Sequence, residues 1–216
     1  MNSVKEISIQ VSESIGKISA LLATPDKPKA VMTLAHGAGA SMTHRFMEEL
    51  SNQLIQRSIA VMRFNFPYME NKKGRPDPPA IAEKTVNVVL AEAHTLYPKL
   101  PLFVSGKSFG GRMSSQMLSK ECPEFVKGII FYGFPLHPVG KPATDRAIHL
   151  KSISIPMLFL SGTKDTLAEL SLIEKVCAEL PSAILIKFEG ADHSFKSGKK
   201  DLLPELAYKT IDWMHL

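Results

Sequence analysis

The stretch Leu102-Phe103-Val104-Ser105-Gly106-Lys107-Ser108-Phe109-Gly110-Gly111-Arg112-Met113 decides the fold. A short β-type apolar run, Leu102 to Ser105, enters Gly-x-Ser-x-Gly, and a helix-compatible stretch follows from Phe109 to about Cys122. A serine on a sharp strand-to-helix turn carries its hydroxyl clear of neighbouring side chains. Strand and helix backbones pass so close there that a Cβ at Gly106 or Gly110 would clash, and Gly111 adds room. The reading is a nucleophile elbow with Ser108 as the nucleophile. A glycine-rich turn with a helix N-cap serine would use the same letters, so the surrounding chain has to agree.

Outward from the elbow, the grammar is strand, helix, strand, helix. Upstream, Ala30 to Ala35 and Ile59 to Phe64 read as buried strands, with helices over about Arg45 to Arg57 and Ile81 to Leu96. Downstream come strands at Val126 to Tyr132, Met157 to Leu160 and Ala183 to Phe188, and helices over Leu167 to Leu180 and Leu202 to His215. A short helix is expected near Arg146 to Leu150. Val4 to Val11 and Gly16 to Ala23, joined at Ser12 to Ser14, predict an N-terminal hairpin. This alternation specifies a mostly parallel sheet of about eight strands with helices on both faces, in one domain. In such sheets ligands bind beyond the carboxyl ends of the strands.

At 216 residues with 44% hydrophobic content the chain can bury a full core. Its two cysteines, Cys122 and Cys177, fall in predicted helices and suggest a reducing compartment rather than a disulfide framework. Met1 to Gln10 lacks the apolar run of a signal peptide, and no segment approaches the length of a membrane span. The expectation is a cytoplasmic protein without membrane partners. The net charge of +5 is mixed with 21 acidic residues, and the two basic clusters are not interleaved with stacking aromatics, so nucleic acid is not expected as a partner. Those clusters, Lys72-Lys73-Gly74-Arg75 and Lys196-Ser197-Gly198-Lys199-Lys200, fall in or just after loops at the expected catalytic edge.

A serine hydroxyl needs a base beside it and a carboxylate to hold that base. The strand Met157 to Leu160 runs into Ser161-Gly162-Thr163-Lys164-Asp165, and Gly190-Ala191-Asp192-His193-Ser194-Phe195 follows the last strand. Asp165 and His193 therefore lie in loops at the same sheet edge as Ser108, in the order Ser, Asp, His. Asp192 competes as the acid but neighbours His193, Asp145 is held in reserve, and His137 precedes Asp165 and breaks the order. The developing oxyanion needs backbone donors. One is expected from Phe109, after the nucleophile, and the other from His36-Gly37-Ala38-Gly39-Ala40, with Ala38 chosen and Gly39 second. His36 reads as a structural anchor of that loop.

Through these residues the chain resembles the α/β-hydrolase superfamily along its length. Closer likeness lies in His36-Gly37-Ala38-Gly39, Arg63-Phe64-Asn65-Phe66-Pro67-Tyr68, Gly106 to Arg112, Tyr132-Gly133-Phe134-Pro135-Leu136-His137 and Ser161 to Asp165. These look like the small dienelactone-hydrolase-like group of bacterial proteins, a testis-expressed vertebrate protein and a histone-acetyltransferase complex subunit. The resemblance implies the α/β-hydrolase fold and, since all three triad residue types are kept, an active serine hydrolase. The interaction role of the complex subunit keeps a non-catalytic module as the alternative. The longer His-Gly-Gly-Gly run of many lipases is missing.

Lid domains of this superfamily sit where Phe134 to Pro156 lies here, and 23 residues with four prolines are too few for one. An open site suits small esters, carboxylesterase-like, with thioesters or peptides as alternatives on the same triad. Gly39, Phe66, Tyr68, Met69 and Phe134 are expected to line substrate at the mouth. The chemistry calls for no metal and no organic cofactor.

Overall fold

The structure, a computed structural model, describes residues 3–215. Eight strands form one sheet: β1 (Ser3–Ser12), β2 (Gly16–Thr24), β3 (Ala30–Ala35), β4 (Ile59–Phe64), β5 (Leu102–Lys107), β6 (Val126–Tyr132), β7 (Met157–Gly162) and β8 (Ala183–Phe188). Their spatial order is β1-β2-β4-β3-β5-β6-β7-β8. The expected N-terminal hairpin is there, with β1 and β2 antiparallel and β2 antiparallel to β4, while every pairing from β4 to β8 is parallel.

The central strands read as continuous apolar runs because both of their faces are covered. Alternate residues divide between two cores. Val31, Val104, Ile129 and Phe159 meet helices α3 (Pro79–Leu96), α4 (Phe109–Lys120) and α5 (Leu170–Ala178) on one face. Met32, Phe103, Ile130 and Leu158 meet α1 (Arg45–Ile55) and α6 (Leu203–Met214) on the other.

Two boundaries differ from the sequence reading for local reasons. α5 starts at Leu170, not Leu167, because the Leu167 N–H is taken by Asp165 Oδ1 at 2.8 Å and the Glu169 N–H by His137 Nε2 at 3.2 Å. The loop after β4 contains a single turn of helix, α2 (Pro67–Glu70), with Pro67 as its first residue. The segment between β6 and β7 holds only a 3-10 helix, Asp145–Ser152, and no lid domain.

β3 sits between β4 and β5, so the chain leaves β3 to one side and returns on the other. This is the topological switch point at which open α/β sheets bind ligands. Ser108 follows β5 at that point.

Candidate active site

The elbow is as tight as its glycines require. A Cβ on Gly106 would stand 2.3 Å from the Gly111 nitrogen, and one on Gly110 would stand 2.5 Å from the Ala35 carbonyl oxygen. Ser108 itself adopts φ 51°, ψ −117°, a backbone region that non-glycine residues rarely enter and that is held here by the packing on either side. The strain turns the side chain outward. Its Oγ lies 2.8 Å from His193 Nε2, and His193 Nδ1 lies 2.7 Å from Asp165 Oδ2.

The loops that carry Asp165 and His193 are locked together. A Cβ on Gly162 would fall 2.2 Å from the Ala191 carbonyl oxygen, so the β7 and β8 loops touch backbone to backbone, and the Lys164 N–H donates to Ala191 O at 2.9 Å. The Asp165 carboxylate is buried; Oδ1 accepts the Leu167 N–H and Oδ2 faces the imidazole. That pairing favours the tautomer with the proton on Nδ1, leaving Nε2 to accept from the serine hydroxyl. Asp192 is occupied elsewhere: its Oδ1 accepts the N–H groups of Ser194 and Lys196 and shapes the loop that presents His193. Asp145 opens the 3-10 helix, and His137 is tied to Pro138 O and the Glu169 N–H.

Lys107 occupies an unspecified position of Gly-x-Ser-x-Gly, so the motif assigns it no role. Its Nζ donates to the His193 carbonyl at 2.6 Å and sits 5.9 and 5.5 Å from the ring centroids of Phe46 and Phe195. Burial pushes its ammonium down to about 8, opposed by the negative charges of Asp165 and Asp192.

The loop after β3 passes close to the elbow, with Gly37 placed so that a Cβ would stand 3.6 Å from Ser108 Cβ. Phe109 is the first residue of α4, so its N–H has no partner within the helix. Among the described residues, the Ala38 N–H donates to no backbone or side-chain acceptor, whereas the Gly39 N–H faces the Tyr68 hydroxyl oxygen. His36 is the anchor the sequence suggests: its Nδ1 lies 2.9 Å from Gly37 O, and its Nε2 accepts the Phe66 N–H at 3.1 Å. Burial lowers its pKa to about 4 and keeps it neutral.

Three aromatic residues expected at the mouth are instead core residues. Phe66, Tyr68 and Phe134 are buried, and Met69 packs half-buried against the same cluster. The turn of α2 carries Phe66 and Tyr68 beneath the β3 loop, where the Tyr68 hydroxyl donates to Gly37 O at 3.3 Å. Arg63 and Asn65 hold the same loop through Met42 O at 2.7 Å and the Met42 N–H at 2.8 Å. Phe134 packs against Phe131 and Phe159. The stretch from Arg63 to Tyr68 thus supports the loop from below rather than meeting substrate. Gly39 does border the open space.

That space is a cleft of about 780 Å³ with Ser108 and His193 at its floor. One wall is Gly37 to Ala40 with the first turn of α1, and the other runs along the loop after β8 to the start of α6. Lys196, Lys199 and Lys200 line it, whereas Lys72, Lys73 and Arg75, expected at the same rim, do not. They lie on the exposed loop between α2 and α3. Among the described residues no helix is long and apolar enough to cross a membrane, and no cluster of three potential metal ligands occurs.

Residues 28–207 match the family described as alpha/beta hydrolase domain. Among solved structures, the chain is similar to an alpha-beta serine hydrolase homologue from Coxiella burnetii, with a TM-score of 0.79, 18% identity and 97% of each chain covered. It is similar to a serine hydrolase without lid from Xanthomonas campestris, with a TM-score of 0.77, 18% identity and coverage of 98% and 95%. A dienelactone hydrolase from Anabaena variabilis gives a TM-score of 0.78 at 20% identity, covering 99% and 98%. At these identities the likeness is one of fold.

Proposed function

The chain belongs to the alpha/beta hydrolase domain family, and from that premise we propose that it is a serine hydrolase cleaving small esters through Ser108, Asp165 and His193. The observation that carries the reading is the unbroken chain Ser108 Oγ, His193 Nε2, His193 Nδ1, Asp165 Oδ2, with steps of 2.8 and 2.7 Å.

The chemistry follows from that geometry. Ser108 Oγ attacks the ester carbonyl while His193 Nε2 takes its proton, and Asp165 stabilises the imidazolium that forms. The carbonyl oxygen becomes an oxyanion, received by the N–H of Phe109 and a donor from the β3 loop, Ala38 first and Gly39 second. Collapse expels the alcohol with the proton from His193 and leaves an acyl-serine. Water then attacks, His193 takes its proton, and the acid departs as Ser108 regains the proton.

Substrate size follows from access. A cleft without a covering domain admits short esters and leaves no enclosed channel for a long acyl chain. The serine hydrolase without lid and the dienelactone hydrolase among the similar structures support this choice. Cys122 and Cys177 are free, which fits a reducing compartment such as the cytoplasm.

Intact mass after brief exposure to a fluorophosphonate probe tests the reading. One adduct on the wild type and none on Ser108→Ala is the expected result. No adduct on either would overturn it and favour a binding module on this fold.

A further inference from the structure

We infer that the outer wall of the cleft is an anion-binding subsite, and that the preferred ester carries a negatively charged group which reaches Lys196, Lys199 and Lys200. This rests on the hydrolase reading above and specifies its substrate class.

The charge is concentrated where substrate would enter. The cleft is lined by Arg45, Lys107, Lys196, Lys199 and Lys200, against only Glu49 and Asp201. Both acids are engaged: Glu49 receives Arg45 Nε at 2.7 Å, and Asp201 Oδ1 accepts the Leu203 N–H at 3.0 Å. Nearby Asp192 is committed to its own loop, and Glu189 accepts from Thr163. Among the described residues, Lys196, Lys199 and Lys200 form no ion pair, and all three are exposed.

The three ammonium groups also sit on a built loop. The Asp192 N–H donates to Lys196 O at 3.0 Å, the Lys196 N–H returns to Asp192 Oδ1 at 2.9 Å, and Ser197 and Lys200 form a β-bridge. Phe195 fixes the loop from within, stacked on Phe46 with centroids 6.1 Å apart and edge-on to Phe188 at 5.5 Å. Like charges gathered around one concavity repel one another, and a bound anion relieves that repulsion. Cleft walls of lower dielectric focus the same field on an arriving substrate. A carboxylate and a phosphate ester satisfy this chemistry equally.

The test compares para-nitrophenyl hydrogen adipate with para-nitrophenyl hexanoate, acyl chains of equal length that differ by one terminal carboxylate. The expected result is a kcat/KM ratio of about tenfold in favour of the anionic ester at low salt, shrinking as ionic strength rises from about 20 to about 500 mM. Lys196→Gln/Lys199→Gln/Lys200→Gln should cut the ratio about tenfold, whereas Lys72→Gln/Lys73→Gln/Arg75→Gln, which removes as much charge outside the cleft, should preserve it. A ratio near one at low salt, or an equal effect of the two triple variants, overturns the subsite. Binding of monomethyl adipate to Ser108→Ala, followed by calorimetry, reads the subsite without turnover. Saturable binding lost with the three cleft lysines supports it even if the fluorophosphonate test fails, and absence of saturable binding overturns it.

Discussion

Lys107 Nζ lies 2.6 Å from the backbone carbonyl oxygen of His193, so the residue before Ser108 holds the residue whose imidazole meets the Ser108 hydroxyl. The two are 86 positions apart, and this bond ties the β5 elbow to the β8 loop directly. Lys107→Met keeps much of the aliphatic packing between Phe46 and Phe195 but removes the donor. The expected outcome is a fall of about 10- to 100-fold in the rate of fluorophosphonate labelling, the range associated with a base displaced by about 1 Å. Ester KM should change less than kcat. An unchanged labelling rate would show that the loop holds His193 without this contact.

Asp165 is buried and spends one oxygen on the Leu167 N–H and the other on His193. Asp165→Asn leaves an amide in its place that no longer fixes the Nδ1–H tautomer. Turnover of a para-nitrophenyl ester should fall about 10⁴-fold with little change in secondary structure. Because Ser108 and His193 act as a unit, Ser108→Ala/His193→Ala should be no slower than Ser108→Ala alone. Additive losses in that double variant would show that the two side chains act separately.

The elbow glycines and the loop glycine make different demands. At Gly106 a methyl group would meet backbone at 2.3 Å, and neither strand nor helix can move aside without unpacking the sheet. Gly106→Ala should destabilise the protein by at least about 3 kcal/mol or abolish folding. At Gly39 a Cβ meets nothing within 4 Å, yet φ is +73°. Gly39→Ala should cost only about 1–2 kcal/mol, through backbone strain. Chemical denaturation of the two variants under one set of conditions checks the order.

The same contrast explains what was legible in the sequence. The elbow, the parallel sheet and the convergence of Ser108, Asp165 and His193 follow from local spacing, because each residue stands at a strand end and strand ends define one edge. Phe66, Tyr68 and Phe134 were misread because a loop aromatic shows the same local pattern whether it faces solvent or a core. Only long-range contacts decide that: α2 against the β3 loop, through Tyr68 and Gly37, and Phe134 against Phe131 and Phe159. Lys107 was not legible at all: its partner is a main-chain carbonyl, which leaves no trace in residue types. The two basic clusters looked equivalent in sequence and separated only when the α1 and α6 side of the sheet proved to hold the cleft.

His36 gives the fold a weakness toward acid. Its pKa is lowered from 6.5 to about 4, chiefly by burial, while the unfolded chain keeps the ordinary value. As pH falls through about 6.5 the unfolded chain takes up a proton that the folded protein refuses until about 4, so stability is lost across that window. This single group accounts for about 2 kcal/mol lost between neutral pH and pH 5. His149, lowered to about 4 by burial and by Arg112 and Lys120, acts in the same direction. His36→Gln should therefore show a shallower fall in unfolding free energy between pH 7.5 and 5 than the wild type, measured by urea titration at each pH, and an equal slope in both would remove His36 as the cause. Protonating Nε2 also deprives the Phe66 N–H of its acceptor and releases the anchor of the loop that carries Ala38 and Gly39. Release of this loop should set in reversibly only as the pH approaches about 4, where the folded protein accepts the proton, and not between pH 6.5 and 5.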